Sequence, residues 1–383
     1  MELKQFFHPI AQDTLPVREA GTMSDNTDFH IAEHFPDWEA ADIALVFVPE
    51  YRGLPLSENP KNGFVKFRKQ LYNLKDLTVS CKIVDLGELI TGALLSDTYD
   101  KLQKVCEYLL ANNTLPLIIG GSHDLDLAQV KAYHDTEKTL GIVGVDAKPD
   151  MEQSGIPSEE HLFRILELYP SKIEYSHLAY QRFITDKNTL LQLSKLNADL
   201  TSIGQIRDNL QETEPVIRSA NILSFDISAI RKSECQGAYH NNIFGLTPEE
   251  ACQLCWYAGL NEQLTSVGFY NYAPKKDIQG DTAMLLSVMV WYFVEGYSKR
   301  RPEYSFFSNF HTKYIIPIDE SLQTLVFYKS KLSDKWWMEV AFTEDETPVN
   351  GQIIPCSYKD YQDALEGNLP DRWIKAVGKV KDC

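Results

Sequence analysis

From residue 41 to residue 298 the sequence alternates between short, mainly apolar, strand-like runs and longer stretches whose apolar positions recur every three or four residues. The short runs lie at 43–48, 82–85, 116–119, 140–145, 200–203, 222–225 and 264–269. They predict strands buried on both faces, because a strand with a wet face would alternate apolar and polar positions. The longer stretches at 65–72, 99–111, 126–134, 159–168, 189–196, 212–219, 248–257 and 281–297 predict amphipathic or buried helices. Strands alternating with helices imply βαβ units and so an α/β fold, a three-layer αβα arrangement around a mostly parallel central sheet. Right-handed crossovers then gather the strands' C-terminal ends along one edge, where ligand sites of open α/β sheets lie. Residues 1–39 carry no such pattern, and Lys299-Arg300-Arg301-Pro302 reads as a second boundary. Beyond it, expected strands at 325–329 and 336–342, a turn-rich link at 344–351 and a short helix at 358–366 suggest an appended α+β element. The expected organisation is an N-terminal segment 1–39, an α/β domain 40–298 and an extension 299–383.

Composition narrows the partners. An apolar fraction of 44% with 11% aromatics is that of a folded globular chain of 383 residues. The 37 basic and 54 acidic residues leave a net charge of −17, which disfavours nucleic acid and anionic membrane surfaces. The longest apolar run, 285–294, is too short to span a bilayer. The first ten residues lack a secretory leader's basic and apolar segments, so a cytoplasmic location is expected. Seven cysteines without a dense framework fit reduced thiols. Cys252 and Cys255 form a C-x-x-C, but it lies inside a helix started by Thr247-Pro248-Glu249-Glu250, so packing is expected there. The Trp336-Trp337 pair is likewise expected to pack on a strand face.

Three strand ends carry residues that packing alone would not select. Gly120-Gly121-Ser122-His123-Asp124 follows 116–119, Asp146-Ala147-Lys148-Pro149-Asp150 follows 140–145, and Phe225-Asp226-Ile227-Ser228 closes 222–225. On one sheet edge they would gather an imidazole and three carboxylates into a small volume. Such carboxylates repel one another unless protonated or neutralised by a cation, and an oxygen-rich set with one His suits a Mn2+-like ion.

The order Gly-Gly-x-His, Asp-Ala-x-x-Asp, Ser-Phe-Asp resembles the ureohydrolase family of arginase, agmatinase and formimidoylglutamase. That family's pattern is G-G-D-H, D-A-H-x-D and S-F-D-x-D. Residues 64–71, Gly245-Leu246-Thr247 and Asn271-Tyr272-Ala273-Pro274 add to the likeness, which covers about residues 40–298. It implies the arginase-like αβα fold and attack on a guanidinium or formimino carbon by a hydroxide placed between two Mn2+ ions. It also implies a small-molecule ligand and a homo-oligomer. Matched position by position, His123, Asp146, Asp150 and Asp226 stand for the ligands of the first ion.

Both ligands peculiar to the second ion are replaced, a His by Lys148 and an Asp by Ser228. Asn271 stands where the family has the Glu that pairs with the substrate's cationic end, and Ser122 replaces the Asp of G-G-D-H. Three carboxylates, one divalent ion and the Lys148 ammonium sum to zero charge, so Lys148 is expected to stand in for the second ion beside Asp146 and Asp226. One Mn2+ is expected rather than two, with an ion-free site as the alternative. Asp146 and Lys148 are the expected catalytic pair in any surviving chemistry, and Asn271, His240 and Ser228 the expected substrate contacts. His161, Arg207, Asn241 and Asn242 are weaker candidates, His161 being expected to pack. Two functions follow: a family member without the usual guanidine hydrolysis, or a single-metal hydrolase of linear amidine or guanidine C–N bonds.

Overall fold

The computed structural model describes the chain apart from residues 1, 57–62, 77–80, 136–138, 171, 307–308, 319–322, 341–342, 345–346, 349–351 and 382–383. Its main sheet has ten strands: β1 (Phe7–His8), β2 (Thr27–Phe29), β3 (Ile43–Val48), β4 (Ile83–Leu89), β5 (Leu115–Gly120), β6 (Leu140–Val145), β7 (Ile173–Tyr180), β8 (Asp199–Ser202), β9 (Ile222–Asp226) and β10 (Ser266–Tyr270). The order is β1-β4-β3-β5-β10-β9-β6-β7-β8, with β2 also on β4. Every pairing is parallel except the antiparallel β1–β4 contact. The interior strands β3, β5 and β9 are buried throughout, as their unbroken apolar runs require.

Helices cover both faces. On one face α1 (Val65–Asn73), α7 (Thr213–Arg218), α8 (Pro248–Leu260) and α9 (Asp281–Tyr297) bury Phe67, Ile217, Leu254 and Phe293 against Phe47, Ile119, Phe225 and Phe269 of the sheet. The other face receives α2 (Leu95–Ala111), α3 (Asp126–Lys131) and α4 (Pro157–Leu168), through Leu102, Ala128 and Leu162 among others. The remaining helices of this part, α5 (Lys187–Lys195) and α6 (Ile203–Asp208), flank β8 in sequence. Local chemistry sets the helix starts. At α8, Thr247 and Glu250 exchange hydrogen bonds around Pro248. At α9, the Asp277 carboxylate accepts from Gly280, Thr282 and Ala283 N–H. Helices α8 and α9 touch through Gly259 and Gly296: a Cβ on Gly259 would lie 2.3 Å from the Phe293 carbonyl oxygen. Cys252 and Cys255 are buried, unbridged members of this packing. Burial pushes the Cys252 thiol up to about 12.

The αβα arrangement predicted from the pattern is therefore present. Strand β7 was not predicted, because Ser176 and His177 interrupt its apolar run; both are buried, and His177 is claimed by the site described below. The patternless segment 1–39 supplies β1 and β2, whose pairing with β4 needs too few residues to leave a periodic signal. Among the described residues no helix is long and apolar enough to cross a membrane.

Past residue 298 lies a second sheet, antiparallel, of β11 (His311–Ile318), β12 (Gln323–Ser330), β13 (Trp336–Val340) and, after a two-stranded ribbon of β14 (Thr343–Glu344) and β15 (Thr347–Pro348), β16 (Gln352–Cys356). Helices α10 (Tyr358–Leu365) and α11 (Asp371–Lys381) follow. Strand β11 and helix α11 carry too many polar positions to have been predicted, and β16 is a five-residue run broken by Pro355. Trp336 and Trp337 are buried, as expected for packing. Trp337 lies under the Arg218 guanidinium, 4.4 Å from the ring centroid, and Arg218 donates to the Trp336 carbonyl (2.9 Å) and the Cys356 carbonyl (3.1 Å). Arg218 also pairs with Glu214 at 2.8 Å. A cleft of about 1060 Å³ runs between this unit and the starts of the main strands, lined by Gly141, Asn221, Ile353 and Arg372 among others. Replacing Arg218 by Ala strips two carbonyls and the Glu214 carboxylate of their partner. A loss of about 3 kcal/mol is expected, read as a lower unfolding midpoint and as preferential proteolysis beyond residue 303; an unchanged midpoint would remove Arg218 as the anchor.

Candidate metal centre

Strands β5, β10, β9 and β6 lie side by side and end together. The chain leaves β5 through Gly120-Gly121-Ser122 into a 3-10 turn, His123–Leu125, and then α3. Gly121 is required there, since a Cβ would sit 1.9 Å from the Glu50 carbonyl oxygen, which accepts the Ser122 N–H at 2.9 Å. Asp146 follows β6. Asp226 ends β9, and its Oδ1 accepts the Ser228 N–H at 2.7 Å. Asn271 follows β10 with φ of 66°, a left-handed conformation that Asn tolerates better than most residues. Its N–H donates to the Gly121 carbonyl at 2.6 Å, lacing the β10 exit to the β5 exit.

The four expected ligands converge. His123 Nδ1 lies 3.5 Å from Asp146 Oδ2, 3.6 Å from Asp150 Oδ2 and 3.4 Å from Asp226 Oδ2. All four side chains are buried, and among the described residues Nδ1 has no hydrogen-bond partner. An orphaned ring nitrogen facing three carboxylate oxygens at roughly 3.5 Å matches donors that each lie about 2.1 Å from one shared cation. These residues fit a divalent ion. Beside them is a cavity of about 10 Å³, room for roughly one water-sized sphere, lined by His123, Asp146, Lys148, Asp150, His161 and His177 among others.

The charges are strained without a cation. Burial, then the neighbouring Asp226 and Asp150, push Asp146 up to about 7. Burial would raise Asp150 too, but its contacts with His123 and His161 hold it well below the usual carboxylate range. Burial opposes protonation of His123, yet the three carboxylates hold it well above its ordinary value. Against the same penalty, Asp126 helps raise His161 to about 9. His177, whose Nε2 meets the Asp146 carbonyl at 3.1 Å, is pushed down to about 4 by burial.

The replaced positions behave differently from the charge argument. Lys148 is not found beside Asp146 and Asp226. Its ammonium pairs with Glu152 at 2.8 Å and reaches Asp150 Oδ1 at 3.8 Å, with 30% of the side chain exposed. A lysine stem beginning two residues past the strand carries its charge outward to the exposed Glu152, which lessens the desolvation cost of a buried ammonium. The donors on Asp146 and Asp226 come from the other two substitutions. Ser228 Oγ donates to Asp146 Oδ1 at 2.9 Å, and Asn271 Nδ2 donates to Asp226 Oδ2. His240 is exposed, its ring edge-on to Tyr239, away from the ligand cluster. Asn242 Nδ2 supports the Ser228 carbonyl at 3.3 Å, Asn241 Nδ2 bonds the Ala238 carbonyl, and Arg207 braces the Gly245 carbonyl at 2.6 Å. Ser122 turns toward the Glu50 carbonyl, outside the ligand cluster.

Three residues that the sequence reading passed over or set aside join the site. Ser224 Oγ meets His123 Nε2 at 2.9 Å and donates to Asp126 Oδ2 at 3.0 Å. His161, expected to pack, instead meets Asp126 Oδ1 at 2.8 Å and Asp150 Oδ2 at 3.2 Å. Spacing held a signal for two of them. Ser224 shares a strand face with Asp226, and Asp126 lies one helical turn past His123. The position of His161 depends on the path of the intervening loop, which leaves no periodic trace.

Comparison with known proteins gives a family and a fold. The Arginase family model matches residues 61–295. A formimidoylglutamase of Staphylococcus carnosus is 22% identical over 303 residues, covering 72% of this chain and 96% of the relative. Among solved structures, a Trypanosoma cruzi formiminoglutamase with Mn2+ superposes with a TM-score of 0.63 at 21% identity, over 69% of this chain and 95% of the other. The formimidoylglutamase of Bacillus subtilis gives 0.62 at 18% identity, over 74% and 97%.

The raised imidazoles give the ion-free protein a definite pH response. His161 is raised from 6.5 to about 9, so its stabilisation is fully present below about pH 6.5 and is lost as pH climbs through 9. His123 acts with the same sign. The melting temperature of the ion-free protein should therefore fall between pH 7 and pH 9. The increase on adding Mn2+ should grow over the same interval, because the ion displaces those protons. Thermal melts across this range check both, and a Mn2+ increment independent of pH would contradict the assignment.

Proposed function

Because the chain belongs to the arginase family, we propose that it keeps one of two ion sites as a closed single-ion centre and lacks hydrolysis of guanidino and formimino substrates. The observation that carries this reading is the pair of donors on the two carboxylates that the sequence likeness assigns to both ions: Ser228 on Asp146 and Asn271 on Asp226. Ser228 takes up Asp146 Oδ1, the oxygen that does not face His123, Asn271 donates to Asp226 Oδ2, and neither adds charge or a ligand oxygen in anionic form. Asn271 spends its amide on Asp226, and a neutral amide offers no charge-assisted bond to a substrate cation. The burial of all four ligands and the small cavity beside them suit a structural centre, whereas catalytic centres keep a position open to substrate. A divalent ion bound there would supply two positive charges to three carboxylates and tie the ends of β5, β6 and β9 together.

A second reading rests on Lys148. Its partly exposed ammonium near Asp150 is a cation at the rim of the site. In a single-ion hydrolase of a linear amidine C–N bond, Asp146 would accept a proton from the attacking water, and the Lys148 ammonium would give one to the departing amine as the C–N bond breaks, the proton on Asp146 later restoring it. The two readings part on turnover. The full chain prepared with Mn2+ should hold about one ion per chain by mass spectrometry and leave arginine, agmatine and formiminoglutamate intact. The Lys148→His, Ser228→Asp, Asn271→Glu triple variant should take up a second ion. Two ions in the unaltered protein, or its steady turnover of any of these compounds, would overturn the proposal.

A further inference from the structure

We propose that the cleft between the two sheets is a docking groove for an extended, lysine- or arginine-rich peptide segment of a partner protein, which adds as a strand to the edge of β16. This stands apart from the ion-site reading, because the cleft lies at the starts of the main strands and none of the four expected ion ligands lines it. Strand β16 ends the order β11-β12-β13-β16, and β8 ends that of the main sheet. Each therefore has one edge without a neighbouring strand, and both edges open into the cleft. Its lining includes residues 352–355 of β16 and 199–201 of β8. Successive strand residues point to opposite faces, so a cavity that meets several in a row meets the strand along its edge.

What β16 presents to the cleft is thus backbone. Its pairing with β13 uses one side of the strand, and among the described residues Ile353 and Ile354 make no backbone–backbone hydrogen bond beyond that pairing. Arg218 takes the Cys356 carbonyl at 3.1 Å and closes one end of the edge. Pro355 offers no N–H, which leaves residues 352–354 as the stretch able to pair fully. A strand edge of this kind is a template for another chain, and an extended peptide laid along it recovers the backbone bonds. The cleft's volume of about 1060 Å³ stands at the upper limit of ordinary small-molecule sites, which suits a chain segment better than a metabolite.

The walls select the peptide's side chains. Seven carboxylates line the cleft against three cations, and two of those cations are already engaged. Arg372 pairs with Glu212 at 2.8 Å and Asp360 at 3.0 Å, and Lys375 with Asp199 at 2.7 Å. Glu174 in β7 and Asp208 in α6 stand on the main-sheet side, Asp363 in α10 and Asp371 in α11 on the other. Among the described residues these four have no ion pair, and Lys359 is the one remaining cation of the lining. An added strand turns alternate side chains to opposite faces, so acids on both walls can receive cations from either face. The same sign excludes nucleic acid from the cleft.

Titration calorimetry of the full chain with the peptide Lys-Val-Lys-Thr-Lys-Val-Lys should show saturable one-to-one binding that weakens as salt is raised. Methylating the peptide's backbone nitrogens at alternate residues, in each of the two phases, separates strand addition from charge attraction. One phase should weaken binding about 10-fold and the other little, because only one set of N–H groups faces the edge. Hydrogen exchange at the amides of 352–354 should slow when the peptide is bound, a readout that needs no variant of the protein. Asp208→Asn combined with Asp363→Asn should weaken binding about 3- to 10-fold. Absence of saturable binding would overturn the proposal. So would binding that neither methylation pattern changes and that spermidine matches, since the cleft would then be an acidic surface for any linear polycation.

Discussion

Three buried carboxylates face one histidine nitrogen across about 3.5 Å, and most of the local architecture answers that repulsion. The carboxylate donors lie within 4.8 Å of one another, and so close in a buried site like charges interact too strongly to be left uncompensated. The chain compensates them in layers. Backbone N–H groups of Ala147 and Ser228 donate to Asp146 and Asp226, and the Ser228 hydroxyl and the Asn271 amide add to these. Two histidines fixed by Asp126 then complete the ring around the carboxylates. Two of the four substitutions that separate this chain from the family pattern, Ser228 and Asn271, are part of that compensation. They sit on the carboxylates a second ion would otherwise hold, which makes them a coherent set.

The sequence made the scaffold legible because its signal is periodic. Unbroken apolar runs such as 43–48 and 140–145 name strands buried on both faces, and their polar successors must emerge on one edge. His123, Asp146, Asp150 and Asp226 were legible for that reason: each is tied to a strand end, and parallel strands bring their ends together. Strand β7 was hidden because Ser176 and His177 break the apolar run, and His177 does so in reaching the Asp146 carbonyl. Asn271 was read at its family position, but its partner, Asp226, follows from a left-handed backbone that no residue pattern announces.

Lys148 shows where charge arithmetic reaches its limit. The sum of charges was consistent with an ammonium inside the site, yet a flexible side chain follows solvation as well as Coulomb attraction. Glu152 offers an ion pair at the surface with far less dehydration. Short side chains fixed by the backbone, Ser228 and Asn271, do the work that the arithmetic assigned to the long one. His161 illustrates the converse: a histidine on a helix face, unremarkable in sequence, becomes informative once both its nitrogens have carboxylate partners.

Strand β9 joins two features that otherwise lie on opposite rims of the sheet. Arg218, just before it, is clamped to the C-terminal unit, and Asp226, at its far end, belongs to the candidate ligand cluster. Its five residues span about 17 Å at the usual rise of an extended strand. Flanked by β10 and β6, the strand behaves as a stiff tie-rod fastened at both ends. Slack introduced at either fastening would be transmitted along its length as a change of register or tension. Through this one strand the C-terminal unit is joined to the candidate ligand cluster at the opposite rim.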